Sequence, residues 1–241
     1  MPIRFDGRTN FECGITSGEL GVFYSSLNGS AEYSIGLSKV YATVWRPEEI
    51  STIKYKSYID LIIRPRIGHA QEYHKLTEYN IVAILEKIID FNSLSRSVIS
   101  IALQIVSEDG PILSVCFNAA VMALLDLGIP MKCFPFATSI AETRAFYGYQ
   151  ESNPQFVIDP TNIEYEKCMN CSTFVVDTTR NEIISCIINK GAGVSHNKPI
   201  DGFNPSTISV AASKKMYTYI KQVIMESIKE KLIKQYNNSL F

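Results

Sequence analysis

The sequence lacks an excess of charge of either sign: 23 Lys and Arg stand against 24 Asp and Glu in 241 residues, a net charge of −1. That balance removes any global electrostatic case for nucleic acid or an anionic membrane, so a polyanion site must be local or shared with a more basic partner. No apolar run approaches the roughly 18 residues of a membrane-spanning helix, and the opening residues contain no signal-peptide core. Histidine is scarce, three in all. The six cysteines (13, 116, 133, 168, 171 and 186) are scattered, mostly within apolar pattern, as small buried hydrophobes in a reducing compartment would be. Cys168-Met-Asn-Cys171 has neither a second Cys pair nor a His pair to complete a zinc site, so no metal and no cofactor is expected.

What is present is apolar: 46% of residues are hydrophobic, enough for a substantial core. The segment ELGVFYSSLNGSAEYSIGLSKVYATVW reads as three short strands, with Leu20–Tyr24 the first, a hairpin at Asn28-Gly29, a turn at Gly36, and Lys39–Trp45 the last. Tyr58–Arg64 is a further strand in which Ile59, Leu61 and Ile63 alternate with Asp60 and Ile62, followed by a polar loop over 65–74. Ile81, Ile84, Leu85, Ile88 and Ile89 recur at helical spacing and predict a helix over 76–91.

Ser97–Val106 reads as a buried strand. The next segment is the clearest helix, with Pro111 in its first turn, Gly128 at its end and Pro130 beyond. Strands are expected at 134–144, 155–158, 172–177 and 182–188, and a loop at 145–154. A long terminal helix from about Pro205 carries lysines 214, 215, 221, 229, 231 and 234 on its exposed face. A βαβ alternation with a Gly-rich first turn is missing, which argues against a dinucleotide-binding fold.

The opening RFDGRTNFE places Arg4 and Arg8 on either side of the turn dipeptide Asp6-Gly7, where they would grip a carboxylate or a phosphate. Together with GELGVFYSSLNGSAEYSIGLSKVYATV, SRSVISIALQIVSEDGPILSVCFNAAVMALLDLGIPMK and FVIDPTNIEYE, in that order, it resembles the RNase PH family of phosphorolytic exoribonucleases. Among these the chain is most similar to the core ring subunits of the eukaryotic RNA exosome, and there to a non-catalytic one.

The resemblance implies an α+β fold: two layers, mixed β-sheets packed against helices. It also implies one domain over 1–241, with a leader at 1–18, a core at 19–190 and a C-terminal helix at 204–236. It makes Arg4 and Arg8 structural anchors. It implies a six-membered ring with other subunits of the same fold, S1/KH-type cap proteins, a catalytic exosome nuclease and single-stranded RNA as partners. RNA processing and degradation, rRNA included, in nucleus, nucleolus and cytoplasm would follow.

Active family members hold phosphate with a Gly-Ser-Arg type loop at the start of the alanine-rich helix. Counted back from Gly128–Pro130, that loop falls on Pro111, Ile112 and Leu113, which offer no N–H at the first position, no hydroxyl and no charge. Asp109 beside them would repel phosphate. The family's acidic group after the DPT-like segment falls near Asn170, which is not acidic. Asp159, Glu164 and Glu166 are remote catalytic candidates. The expectation is an inert subunit, with a phosphorolytic or hydrolytic 3′→5′ exoribonuclease as the alternative. For RNA contact the resemblance marks Arg64, Arg66 and Lys75, with His69 and His74, in RPRIGHAQEYHK, and Arg96 near the substrate path or an interface.

Overall fold

A computed structural model describes Arg4 and residues 6–23, 28–49, 57–94, 97–146, 149–191 and 204–238. Among the described residues, two sheets and four α-helices make up the α+β fold. The first sheet runs β1 (Thr16–Leu20), β2 (Asn28–Ile35), β3 (Ser38–Trp45) and β6 (Ser97–Ser107); β4 (Glu48–Glu49) pairs the start of β6 beyond the end of β3, and β5 (Tyr58–Arg64) pairs β6 along its other edge. All its pairs are antiparallel except β5–β6, whose ends are joined through α1 (Glu72–Ile88). The second sheet, β10 (Glu182–Lys190), β9 (Asn170–Asp177), β7 (Pro135–Phe146), β8 (Tyr149–Ile158), is antiparallel throughout.

α2 (Ile112–Leu127) is the centre. Every residue from Ile112 to Leu124 is buried, because the helix packs on β2 and β3 of the first sheet and on β7 of the second. Its small residues permit close approach: a Cβ on Gly29 would stand 2.3 Å from the Ala123 carbonyl oxygen. Asn28-Gly29 therefore opens β2 where a hairpin turn was expected; the glycine serves contact with α2. The turn signal at Gly36 is correct, with φ +57° between paired Ile35 and Ser38. α2 ends as its sequence predicts, on Gly128 in the left-handed region at φ +81°. Pro111 is its N-cap, one residue earlier than expected.

Other boundaries differ for physical reasons. β1 ends at Leu20, and Tyr24 lies outside the described residues. α1 begins at Glu72, inside the expected polar loop, because Gln71 and His74 cap its first turn reciprocally. The expected loop at 145–154 is largely strand, the ends of β7 and β8 pairing Phe146 with Tyr149. The short α3 (Asn162–Lys167) went unread, although Thr161 and Glu164 form a capping box visible as T-x-x-E. α4 (Pro205–Asn238) buries Ile208, Ala212, Met216 and Ile220 at i, i+4 spacing against β1 and the second sheet, leaving Lys214, Lys215, Lys221 and Lys229 exposed.

Asn118 joins α2 to the second sheet. Ala137 pairs with β9 on one side, while β8 starts pairing only at Ile140, so its other side needs a partner. Asn118 supplies it, donating from Nδ2 to the Ala137 carbonyl (2.9 Å) and accepting from its N–H (2.8 Å). Asn118→Leu strands two buried backbone groups and should lower the unfolding free energy by about 2–4 kcal/mol, read as a reduced urea midpoint at constant m.

Candidate functional site

The opening residues fold back on themselves at Gly7 (φ +79°), whose N–H donates to the Arg4 carbonyl at 2.9 Å, while the Arg4 N–H donates to Arg8 O at 3.2 Å. This turn sends the Arg4 side chain inward, where it is 2% exposed. Nε donates to Glu164 Oε1 (2.8 Å) and Nη2 to Oε2 (2.5 Å), a bidentate pair. The remaining N–H groups reach the carbonyls of Ile158 (2.9 Å), Asp159 (2.8 Å) and Glu12 (3.4 Å), so the whole guanidinium fork is engaged.

Arg8 donates to Asp159 Oδ2 at 3.0 Å and to its carbonyl at 3.2 Å, and its Nε bonds the Asp6 carboxylate. Asp159 Oδ2 also accepts the Gly14 N–H at 3.0 Å, and its backbone is left-handed at φ +51°. Two remote catalytic candidates are thus brought together, but as the receptors of the leader. Burial pushes the Asp159 carboxyl above its ordinary range, against the pull of Arg8 and the Gly14 N–H. For Glu164 burial also pushes upward, but the Arg4 fork and the Thr161 N–H outweigh it and hold the carboxyl below its ordinary range. Glu166 lies on the exposed side of α3 and receives Asn162 Nδ2 at 3.4 Å.

At the other end of α3, Ile112 and Leu113 are buried beneath a cavity of about 290 Å³ walled also by Tyr73, Leu76, Tyr165 and Ile188. Here the N-terminus of α2 presents Pro111, without an N–H, and two aliphatic side chains. Ser114, the next hydroxyl, donates to Pro111 O (3.4 Å) and accepts from Ser139 (3.1 Å). Asp109 accepts the Asn162 N–H at 2.7 Å, and Asn170 donates to Glu142 at 2.9 Å across the β7–β9 pair. Glu142 and Glu108, a lining residue of the cavity, are acids that sequence reading missed; both stand on strands or strand ends whose neighbours only the fold reveals. Among the described residues, no three His, Cys, Asp or Glu side chains converge on a metal-sized site.

The residues marked for RNA separate. Arg64 and Arg66 are exposed where the chain leaves β5, and Gln104 Nε2 fixes the backbone by donating to the Arg64 and Pro65 carbonyls at 3.3 Å each. Lys75 is exposed on α1 rather than in a loop. His69 is exposed, but His74 is buried as a helix cap, its Nδ1 accepting the Gln71 N–H, so it does not face solvent as a loop residue would. Arg96 and His196 lie outside the described residues. Cys168 and Cys171 are buried free thiols packed with Ala141, and burial pushes Cys171 up to about 12.

The clasp gives a pH signature. Because Glu164 titrates below the ordinary 4.5, the pair's contribution is complete above that value and is lost as pH falls through the lower folded value. Arg4→Ala should cost about 3–5 kcal/mol at pH 7 by leaving the carboxylate buried and unpaired. Glu164→Gln should flatten the acid limb of the stability–pH curve, measured by urea unfolding from pH 3 to 7.

Residues 16–130 match the RNase PH family, described as "3′ exoribonuclease family, domain 1". The exosome complex component rrp46 of Schizosaccharomyces pombe is 34% identical over 117 residues, 47% of this chain and 52% of that protein, so the match spans about half the relative's length. The exosome complex exonuclease RRP46 homolog of Arabidopsis thaliana is 28% identical over 177 residues, 72% of this chain and 69% of the relative. The crystal structure of rice (Oryza sativa) Rrp46 superposes with a TM-score of 0.76 at 23% identity, covering 90% of this chain and 98% of that one. The central buried helix and the two sheets carry the fold of the rice protein, and the stretch from Thr16 to Pro130 is the part of this chain that matches the RNase PH family.

Proposed function

We propose that this chain is a catalytically inert ring subunit of an RNA exosome core, scaffolding a six-membered ring of related subunits and lining part of its RNA channel. One observation carries the inertness. The helix terminus that would cradle phosphate ends in Pro111, Ile112 and Leu113 under an apolar cavity, while Asp159 and Glu164 are engaged by Arg8 and Arg4. Phosphorolysis needs an anion held in line with the scissile bond, and no cation stands among the described residues that line this cavity. The ring role is supported by the exosome relatives and by the extent of the fold match.

On this reading the chain is one domain, with the leader fastened to its core. S1/KH-type cap proteins and a separate catalytic nuclease complete the assembly, and the protein works in nucleus, nucleolus and cytoplasm. Arg64, Arg66 and Lys75 offer exposed cations for threaded single-stranded RNA; Arg96 is a further candidate. Their phosphate contacts would add affinity without sequence preference.

The isolated chain should not shorten poly(A) RNA in the presence of phosphate and magnesium. Release of nucleoside diphosphates at the rate of an active homologue, abolished by Asp159→Asn, would overturn the inert reading. Affinity purification from native cells should recover stoichiometric paralogues of the same fold, and a free monomer would contradict the ring. In the assembled ring, Arg64→Glu with Arg66→Glu should weaken single-strand binding for all sequences and flatten its salt dependence by roughly one to two phosphate contacts. An unchanged slope would mean that the loop is merely solvated.

A further inference from the structure

The cavity at the start of α2 has acquired a different chemistry from the anion cradle its position would suggest. Its floor is Ile112 and Leu113, and Glu108 is the one charged side chain among its described lining residues. Glu108 is exposed, and among the described residues its carboxylate receives only the Tyr73 hydroxyl, at 3.3 Å, leaving acceptor capacity unused there. The neighbouring Asp109 carboxylate accepts the Asn162 N–H and does not line the cavity. A phosphate here would meet Glu108 and aliphatic carbon.

The helix terminus contributes partial positive charge at the floor, and Glu108 contributes full negative charge at the rim. A complementary occupant therefore enters apolar end first and keeps its cation at the mouth. The apolar walls of the cavity also reach the open surface. Tyr73 is 42% exposed, Leu76 59% and Ile188 56%, on two facing elements, α1 and β10. Such flanks suit something longer than a compact small molecule, because they are left in water unless the occupant runs across them.

We infer that this cavity is a docking site for a partner polypeptide segment that inserts one large apolar side chain and places an adjacent arginine or lysine on Glu108. The charge complementarity selects a basic segment and disfavours RNA or any other polyanion. The apolar anchor supplies buried area, and the salt link at the rim supplies selection between partners.

The test uses the full chain with labelled Ile and Leu methyl groups, titrated with two acetylated, amidated tetrapeptides. One has a Phe-Leu centre flanked by arginines, the other the same centre flanked by glutamates. The arginine peptide should shift the methyl signals of Ile112, Leu113 and Ile188 and bind about tenfold more tightly than the glutamate peptide. Glu108→Lys, at an exposed position that leaves the remaining spectrum in place, should reverse the order. Leu76→Ser should weaken both peptides. Equal binding of the two peptides, no shift at these methyl groups, or displacement of the same signals by inorganic phosphate would each overturn the proposal. None of these readouts depends on ring assembly or on nuclease activity, so they stand apart from the exosome reading.

Discussion

A guanidinium with every N–H engaged, 2% exposed, is the constraint around which this end of the molecule is arranged. Removing Arg4 from water carries a large desolvation cost, offset only because two carboxylate oxygens and three carbonyls meet it at once. Those acceptors come from the leader, from the end of β8 and from α3. The pairing therefore fixes three distant segments relative to one another. Arg8 and Asp159 repeat the arrangement nearer the surface, and the left-handed turn at Asp159 aims its carbonyl at both arginines.

The same clasp occupies two acids of the site. An Asp or Glu poised for acid–base or metal work needs a free oxygen directed at substrate. Glu164 presents its two oxygens to Arg4 and the Thr161 N–H, and Asp159 turns Oδ2 toward Arg8 and Gly14. Since α3 also carries Tyr165 into the cavity wall, the element that receives the leader shapes the pocket as well. The cavity is then a largely apolar recess with one acid, Glu108, among its described lining residues.

Packing around α2 accounts for the rest. A helix buried on all sides has no polar face to lose, which is why Ile112–Leu124 tolerates only apolar, small or hydrogen-bonded residues. Asn118 and Ser114 are the polar exceptions, and each is bonded to a neighbour. Gly29 and the alanines set how closely β2 approaches this helix.

Periodicity was enough for α1, α4 and most strands, because a 3.6 or 2-residue repeat records directly which face is buried, whereas α2, buried all round, was marked by Pro111, Gly128 and Pro130. The alternation Ile59, Leu61, Ile63 appears in the structure as read, and so do the Gly128 end of α2 and the place of Pro111, Ile112 and Leu113 at its start. The pattern could not show that Asn28-Gly29 is strand rather than turn, since the demand for glycine comes from Ala123 far along the chain. Nor could it show His74 as a buried cap or Glu108 as the rim of a cavity. Arg4 and Glu164 make the same point from the other side: residue type announced a charge that needed a partner, but 160 residues separate the two ends of that contact. Local sequence specifies local burial and turn chemistry; which charge meets which is decided only when the chain ends are brought together by packing.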